Sequence, residues 1–260
     1  MKSIKGWNNW YIHPFTMMYI LISIINNNFF NYISALMIVC IHEYGHYYFA
    51  KKFNFEIEKV EIFPFGAFLS VNDYGMHHVC EELIMLMAGL SVHLPIYFII
   101  EIFIQNQYLL EVNRLVFIFN FLPIYPLDGS KILLLLLSLI KDYYQAIKLQ
   151  IKISLFALSI LIVLYNKIGY LLVYFYLLYA NYEYIKEFRY MIIRLYLKRM
   201  QGSQYKHCKI NYNFNFYRPY YNIYVIDGKT YNERQMLQFL IKKAKNRLTL
   251  GHKFNIMQLL

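Results

Sequence analysis

Apolar residues gather in six stretches along the first 185 positions, at about 14–30, 32–50, 83–104, 115–140, 151–165 and 168–184. A helix needs about 20 residues to cross the roughly 30 Å hydrocarbon core of a bilayer. Each stretch therefore predicts a transmembrane helix, the fifth short and the fourth long. The first is not read as a cleaved signal peptide, because no small-residue cleavage site follows it and the second span begins almost at once.

Two segments break this rhythm. Between the second and third stretches, FEIEKVEIFPFGAFLSV sets Glu56, Glu58 and Glu61 against Ile57, Val60 and Ile62, then resumes as an apolar run. Alternation with period two predicts strand, and FPFG predicts a hairpin turning near residues 64–66. Such a hairpin serves either as an amphipathic connector or as an edge strand able to pair with an extended peptide. After about Met200, YNIYVIDGKTYNERQMLQFLIKKAKNR predicts a strand, an Asp-Gly turn and an amphipathic helix. The expected fold is an all-α polytopic membrane protein of about six transmembrane helices. It carries a short membrane-associated β-hairpin and a small cytoplasmic α+β appendage. The expected domains are a transmembrane domain at 1–199 and a small basic C-terminal domain at 200–260.

Composition agrees with a bilayer. The 260 residues are 59% hydrophobic and 16% charged, where a soluble domain is about a quarter charged. The net charge of +11 sits in the tail: residues 186–260 hold 15 Lys+Arg against 3 Asp+Glu, and residues 1–185 hold 11 against 12. A basic tail favours an anionic lipid surface. No helix-turn-helix, RNP or zinc-finger pattern is present, so direct nucleic-acid binding is not expected. With the N-terminus inside, the cytoplasmic segments collect Lys2, Lys5, Lys51, Lys52, Lys59, Lys141, Lys148, Lys152 and the tail. The outer loops keep only Arg114 and Lys167. By the positive-inside rule both termini are cytoplasmic. The three cysteines, Cys40, Cys80 and Cys208, are too widely spaced to predict a disulfide framework or a paired metal site.

Chemistry enters in the second stretch, where VCIHEYGHYYF places His42, Glu43 and His46 among apolar and aromatic residues. The pattern is H-E-x-x-H. Residues four apart share a helix face, so both imidazoles can meet one metal ion while Glu43 serves as general base. Three ionisable residues clustered in a span are costly at about 2.5–3.5 kcal/mol each on insertion scales, so a functional reading is preferred to a helix with a satisfied polar cluster. A hydrolytic zinc site wants a third protein ligand and an open position. The candidates in other spans are Asp128, His93 and Glu101. Asp128 lies in NFLPIYPLDGSKILLLL, where Pro123 and Pro126 must interrupt the fourth helix. Unwound backbone at that depth is tolerated where it lines a cavity or is buried in protein. His42 precedes Lys51, and Asp128 precedes Lys141, by distances of about 13 and 20 Å along a helix, both in the inner half of the bilayer.

Together these residues resemble the site-2 protease family of intramembrane zinc metalloproteases. The boxes YIHPF, HEYGH, FPFG, AGLSVH and NFLPIYPLDGSK resemble its stage IV sporulation FB branch in order and spacing over residues 10–200. The resemblance implies that His42, His46 and Asp128 ligate Zn2+ and that Glu43 is the catalytic base. It implies that Asn120, Pro123 and Pro126 help position substrate. It also implies a membrane-associated pro-sigma factor as substrate, inhibitory membrane proteins as partners, and an outer forespore membrane location. Family members of this branch carry a C-terminal CBS domain that binds ATP, of which residues 200–260 would be a truncated form. Leu90 stands where the family's Ala-Gly-Pro box has proline. The expected function is hydrolysis of a peptide bond near the cytoplasmic face of the membrane. The alternatives are a membrane protease with a Glu as third ligand, and a non-catalytic zinc protein that regulates another protease.

Overall fold

The computed structural model describes residues 10–63, 66–165, 171–201 and 207–249. Lys2, Lys5, Lys167 and the expected turn residues Pro64 and Phe65 lie outside these. The chain divides into two compact units, residues 1–121 and 122–260, and each is described by itself.

The first unit opens with β1 (Trp10–Ile12), α1 (Pro14–Ile25) and α2 (Phe29–Lys52). His13 caps α1 by accepting from the Phe15 amide, and Pro14 follows at the position where a missing N–H costs nothing. His13 also donates its own amide to the Ile62 carbonyl and stacks on Phe63 at 4.7 Å. Thr16 Oγ1 donates to the same carbonyl at 2.7 Å. The YIHPF box therefore ties the first helix to a sheet. That sheet has the order β1-β2-β3, with β2 (Ile57–Phe63) antiparallel to β3 (Gly66–Val71) and β1 parallel to β2. The hairpin matches the alternation in the sequence. β1 was not expected.

The rest of the unit is α3 (Val79–Ser91), α4 (His93–Ile99), a π-helical turn (Ile100–Ile104) and α5 (Gln107–Phe121). Pro95 removes an N–H from the ladder just where α3 gives way to α4. Ile38, Ile96, Ile100, Leu109 and Leu110 form a core between α2, α4 and α5. The α2–α3 crossing is close because two glycines meet there. A Cβ on Gly45 would stand 2.9 Å from the Ala88 carbonyl oxygen. Small residues at helix crossings let backbones approach in this way.

The second unit holds α6 (Asp128–Ile140), α7 (Tyr143–Leu164), α8 (Leu171–Met200), β4 (Cys208–Asn211), β5 (Tyr221–Ile226), β6 (Lys229–Tyr231) and α9 (Glu233–Thr249). The segment before α6 is unwound, as Pro123 and Pro126 require, and the Tyr125–Pro126 bond is cis. Its backbone is satisfied by neighbours. Tyr125 donates its amide to Ser154 Oγ at 2.8 Å, Ser154 donates to Asn181 Oδ1 at 2.7 Å, and Asn181 Nδ2 donates to the Tyr125 carbonyl at 2.8 Å. Tyr125 stacks on Tyr184 at 4.1 Å. In the C-terminal part β4 runs parallel to β5, and β5 pairs antiparallel with β6 around the turn at Asp227 and Gly228. Arg199, at the end of α8, pairs in the interior with Glu233 of α9 at 2.8 Å.

Two helical stretches among the described residues are long and apolar enough to cross a membrane, Val79–Ile104 and Tyr143–Leu164. The other four expected spans differ for identifiable reasons. α1 has only 12 residues, stopped by Asn26 and by Asn27 with φ of 54°. α2 is long enough but carries His42, Glu43, His46, Lys51 and Lys52. The fourth stretch is cut by its prolines into the end of α5 and α6. The sixth begins in part outside the described residues and continues into the charged half of α8. The outward faces of the helices are nonetheless apolar, with Phe15, Leu21, Ile25, Phe103, Leu164 and Leu172 among the exposed side chains. Such continuous exposure of large apolar groups suits lipid contact and not water.

Candidate metal centre

α2 brings His42 and His46 onto one buried face, one turn apart, with their rings nearly perpendicular at 87°. Their Nε2 atoms stand 3.1 Å from each other. Which of these nitrogens carries a proton follows from the partners on the opposite side of each ring. His46 Nδ1 lies 2.8 Å from the Met85 carbonyl, which can only accept. Neutral His46 therefore holds its proton on Nδ1 and has a lone pair on Nε2. His42 Nδ1 lies 3.0 Å from His93 Nε2, and His93 Nδ1 lies 2.7 Å from Asn113 Oδ1. The Asn113 amide is oriented by its Nδ2, which donates to the His93 carbonyl at 3.0 Å. Oδ1 then accepts from His93 Nδ1, His93 Nε2 accepts from His42 Nδ1, and His42 also has its lone pair on Nε2.

The two Nε2 atoms, 3.1 Å apart, are therefore within reach of a single ion. Two nitrogens at zinc-ligand distance in tetrahedral geometry stand about 3.3 Å apart, close to what is seen. Glu43, next to His42, is half-buried. The donor set suits zinc: two imidazoles turned to the same point, each with its far nitrogen anchored.

In the second unit Asp128 is the first residue of α6, buried, with Lys131 Nζ 3.4 Å from its Oδ1. A carboxylate in the first turn is favoured by the helix dipole.

The other candidates fall elsewhere. His93 has both ring nitrogens committed, to His42 and to Asn113, so it is not a ligand in this arrangement. Glu101 is exposed in the π-helical turn. Asn120 Nδ2 donates to the Val116 carbonyl of its own helix at 3.2 Å. Pro123 and Pro126 are half-buried in the unwound segment before α6. Sequence reasoning missed Asn113, while His93, the weaker third-ligand candidate, is the hydrogen-bond partner that its setting in a helix suggested. The available signal was an Asn at 113 and a His at 93, each inside an apolar helix, with no fixed spacing between them.

No protein-family model matches the chain. Over 206 residues it is 29% identical to stage IV sporulation protein FB of Bacillus subtilis, covering 74% of this chain and 72% of that protein. A zinc metalloprotease of Methanocaldococcus jannaschii is 30% identical over 154 residues, which are 54% of this chain and 44% of that protein. A solved site-2 protease from Methanocaldococcus jannaschii superposes with a TM-score of 0.51 at 24% identity, covering 69% of this chain and 93% of that one. This last likeness is one of fold.

Proposed function

We propose, from its 29% identity to stage IV sporulation protein FB and its 30% identity over part of its length to a zinc metalloprotease, that the chain is an intramembrane zinc metalloendopeptidase of the site-2 type. The observation that carries this reading is the pair of buried Nε2 atoms 3.1 Å apart on one face of α2, one residue from a carboxylate, in an H-E-x-x-H sequence. His42, His46 and Asp128 hold the zinc in this proposal. Zinc, when bound, supplies Lewis-acid activation of water and of the scissile carbonyl. Glu43 takes the proton of the attacking water and delivers it to the leaving amine.

A peptide bond inside a helix is shielded, so the substrate must be extended at the cut. β3 is an edge strand of its sheet and packs against α2, which carries the H-E-x-x-H residues. An extended substrate segment aligned along β3 would be held by main-chain hydrogen bonds. Asn120, Pro123 and Pro126 are assigned to substrate placement. The prolines keep the chain before Asp128 from closing into a helix.

The finer reading follows the sporulation relative. The substrate is a membrane-associated pro-sigma factor, cut near the cytoplasmic face, and inhibitory membrane proteins hold the enzyme silent. The chain crosses the outer forespore membrane six times with both termini in the cytoplasm. Residues 1–199 form the protease domain, and 200–260 form a basic cytoplasmic domain, the place to look for ATP binding. Co-expression with a candidate pro-sigma factor tests the core of this proposal. The wild type should yield the processed product and Glu43→Gln should not, at unchanged zinc content. Processing by Glu43→Gln would overturn the assignment.

A further inference from the structure

We infer that His93 and Asn113 form a two-step hydrogen-bond relay that determines which nitrogen His42 turns toward the metal, and so act as positioning residues for the centre. This rests on the reading of His42 as a ligand. The two histidines of α2 are anchored by different means. His46 is held by a main-chain carbonyl, that of Met85, which no substitution at 85 removes. His42 is held by a side chain, and that side chain by another: His42 to His93 at 3.0 Å, His93 to Asn113 at 2.7 Å.

The relay has a defined direction. Asn113 grips His93 at two points, accepting from its ring and donating to its carbonyl, so the amide cannot turn over without losing both bonds. Each proton position then follows from the last, and the chain ends on a lone pair at His42 Nε2. His42, His93 and Asn113 are 1%, 3% and 3% exposed, so water does not compete for these bonds.

The relay also contains no carboxylate. A carboxylate in the place of His93 would orient His42 equally well, but would bury an additional charge in an apolar helix. An imidazole backed by an amide gives orientation without that charge. Phe117 stands edge-on to the His93 ring at 5.9 Å.

A packing role and a relay role predict opposite orders of damage. If His93 only fills space between apolar helices, Leu replaces it better than Gln. If it serves as the acceptor for His42 Nδ1–H, Gln replaces it better, because the amide oxygen can accept and Leu cannot. The full-length chain, purified in detergent, is titrated with Co2+ and then with Zn2+ in competition, and the visible Co2+ spectrum reports the ligand geometry. Partners of ligating histidines typically affect metal affinity by about 10–100-fold. His93→Leu and Asn113→Leu should weaken Co2+ and Zn2+ binding by that order and alter the Co2+ spectrum, and His93→Gln should restore both. The double variant should bind no worse than His93→Leu alone, since Asn113 acts only through His93. Wild-type binding by His93→Leu, or equal damage from Leu and Gln, would overturn the relay. His42→Ala separates the two levels: if it binds Co2+ like the wild type, the ligand assignment itself fails.

Discussion

Gly89 lies directly against the imidazole of His46: a Cβ at position 89 would stand 2.2 Å from both Cε1 and Nε2 of that ring. The Nε2 edge of one histidine is therefore shaped by the absence of a side chain on the neighbouring helix. The ring cannot swing aside freely, because its Nδ1 is engaged by the Met85 carbonyl on the same helix, α3.

Gly89→Ala should consequently displace His46 and lower the metal content of the purified protein, with loss of proteolysis in step. Gly66→Ala is the control, since a Cβ there meets nothing within 4 Å. Metal analysis after identical purification checks this. Wild-type zinc content in Gly89→Ala would mean that the ring is free to move.

The unwound segment before α6 offers a second test. Its Tyr125 carbonyl and the Ser154 hydroxyl both depend on Asn181. Asn181→Leu leaves them without that partner, and an orphaned buried polar group costs about 1–3 kcal/mol. The melting temperature in detergent should fall by several degrees, on the scale of about 2–4 °C per kcal/mol for a chain this size. Proteolysis should fall as well, because the segment carries Pro123, Pro126 and, at its end, Asp128. Unchanged melting would show that another group satisfies the segment.

Much of this was legible locally. H-E-x-x-H declares itself by spacing, the hairpin by its alternation, and the helix break by Pro123 and Pro126. What could not be read depends on partners distant in sequence. β1 is three residues long and has strand character only through its pairing with β2, fifty residues on. Ser154 and Asn181 look like ordinary polar residues in apolar helices until Tyr125 is set between them. Asn113 acquires meaning only from His93. In the basic tail, charge counting treats Arg199 as a solvated cation, yet it is buried against Glu233. Periodicity reports which face of an element is apolar. It does not report which polar groups meet.

Arg199 gives the third prediction. Its Nε and Nη2 donate to the two carboxylate oxygens of Glu233 at 2.8 and 3.0 Å, and its Nη1 and Nη2 reach the carbonyls of Arg218 and Tyr220. Glu233 also accepts from the Asn222 amide. Removing one partner of a buried pair strands the other charge, at about 3–5 kcal/mol. Glu233→Gln and Arg199→Met should each release the C-terminal part of the second unit, seen as faster limited proteolysis after residue 207. Proteolysis patterns identical to wild type in both variants would count against the pair as the tie.

The turn between β3 and α3 carries a pH dependence, the fourth prediction. His77 stacks on Phe55 at 3.8 Å, and its Nε2 lies 2.7 Å from Asp73, whose other oxygen accepts the Glu56 amide. Burial alone would lower the His77 pKa, but the hydrogen bond and charge of Asp73, with Glu81 beside it, outweigh this and raise it above 6.5. A raised folded-state value means that the folded protein binds the proton more tightly than the unfolded chain does. The stability this contributes is fully present below the unfolded value of about 6.5 and is lost as pH rises through the folded one. Melting temperature measured from about pH 5.5 to 8.5, across the range in which histidine titrates, should therefore fall faster for the wild type than for His77→Gln. The two curves should differ most at the acid end and converge at the alkaline end. Parallel curves would show that His77 does not bind its proton more tightly in the folded state.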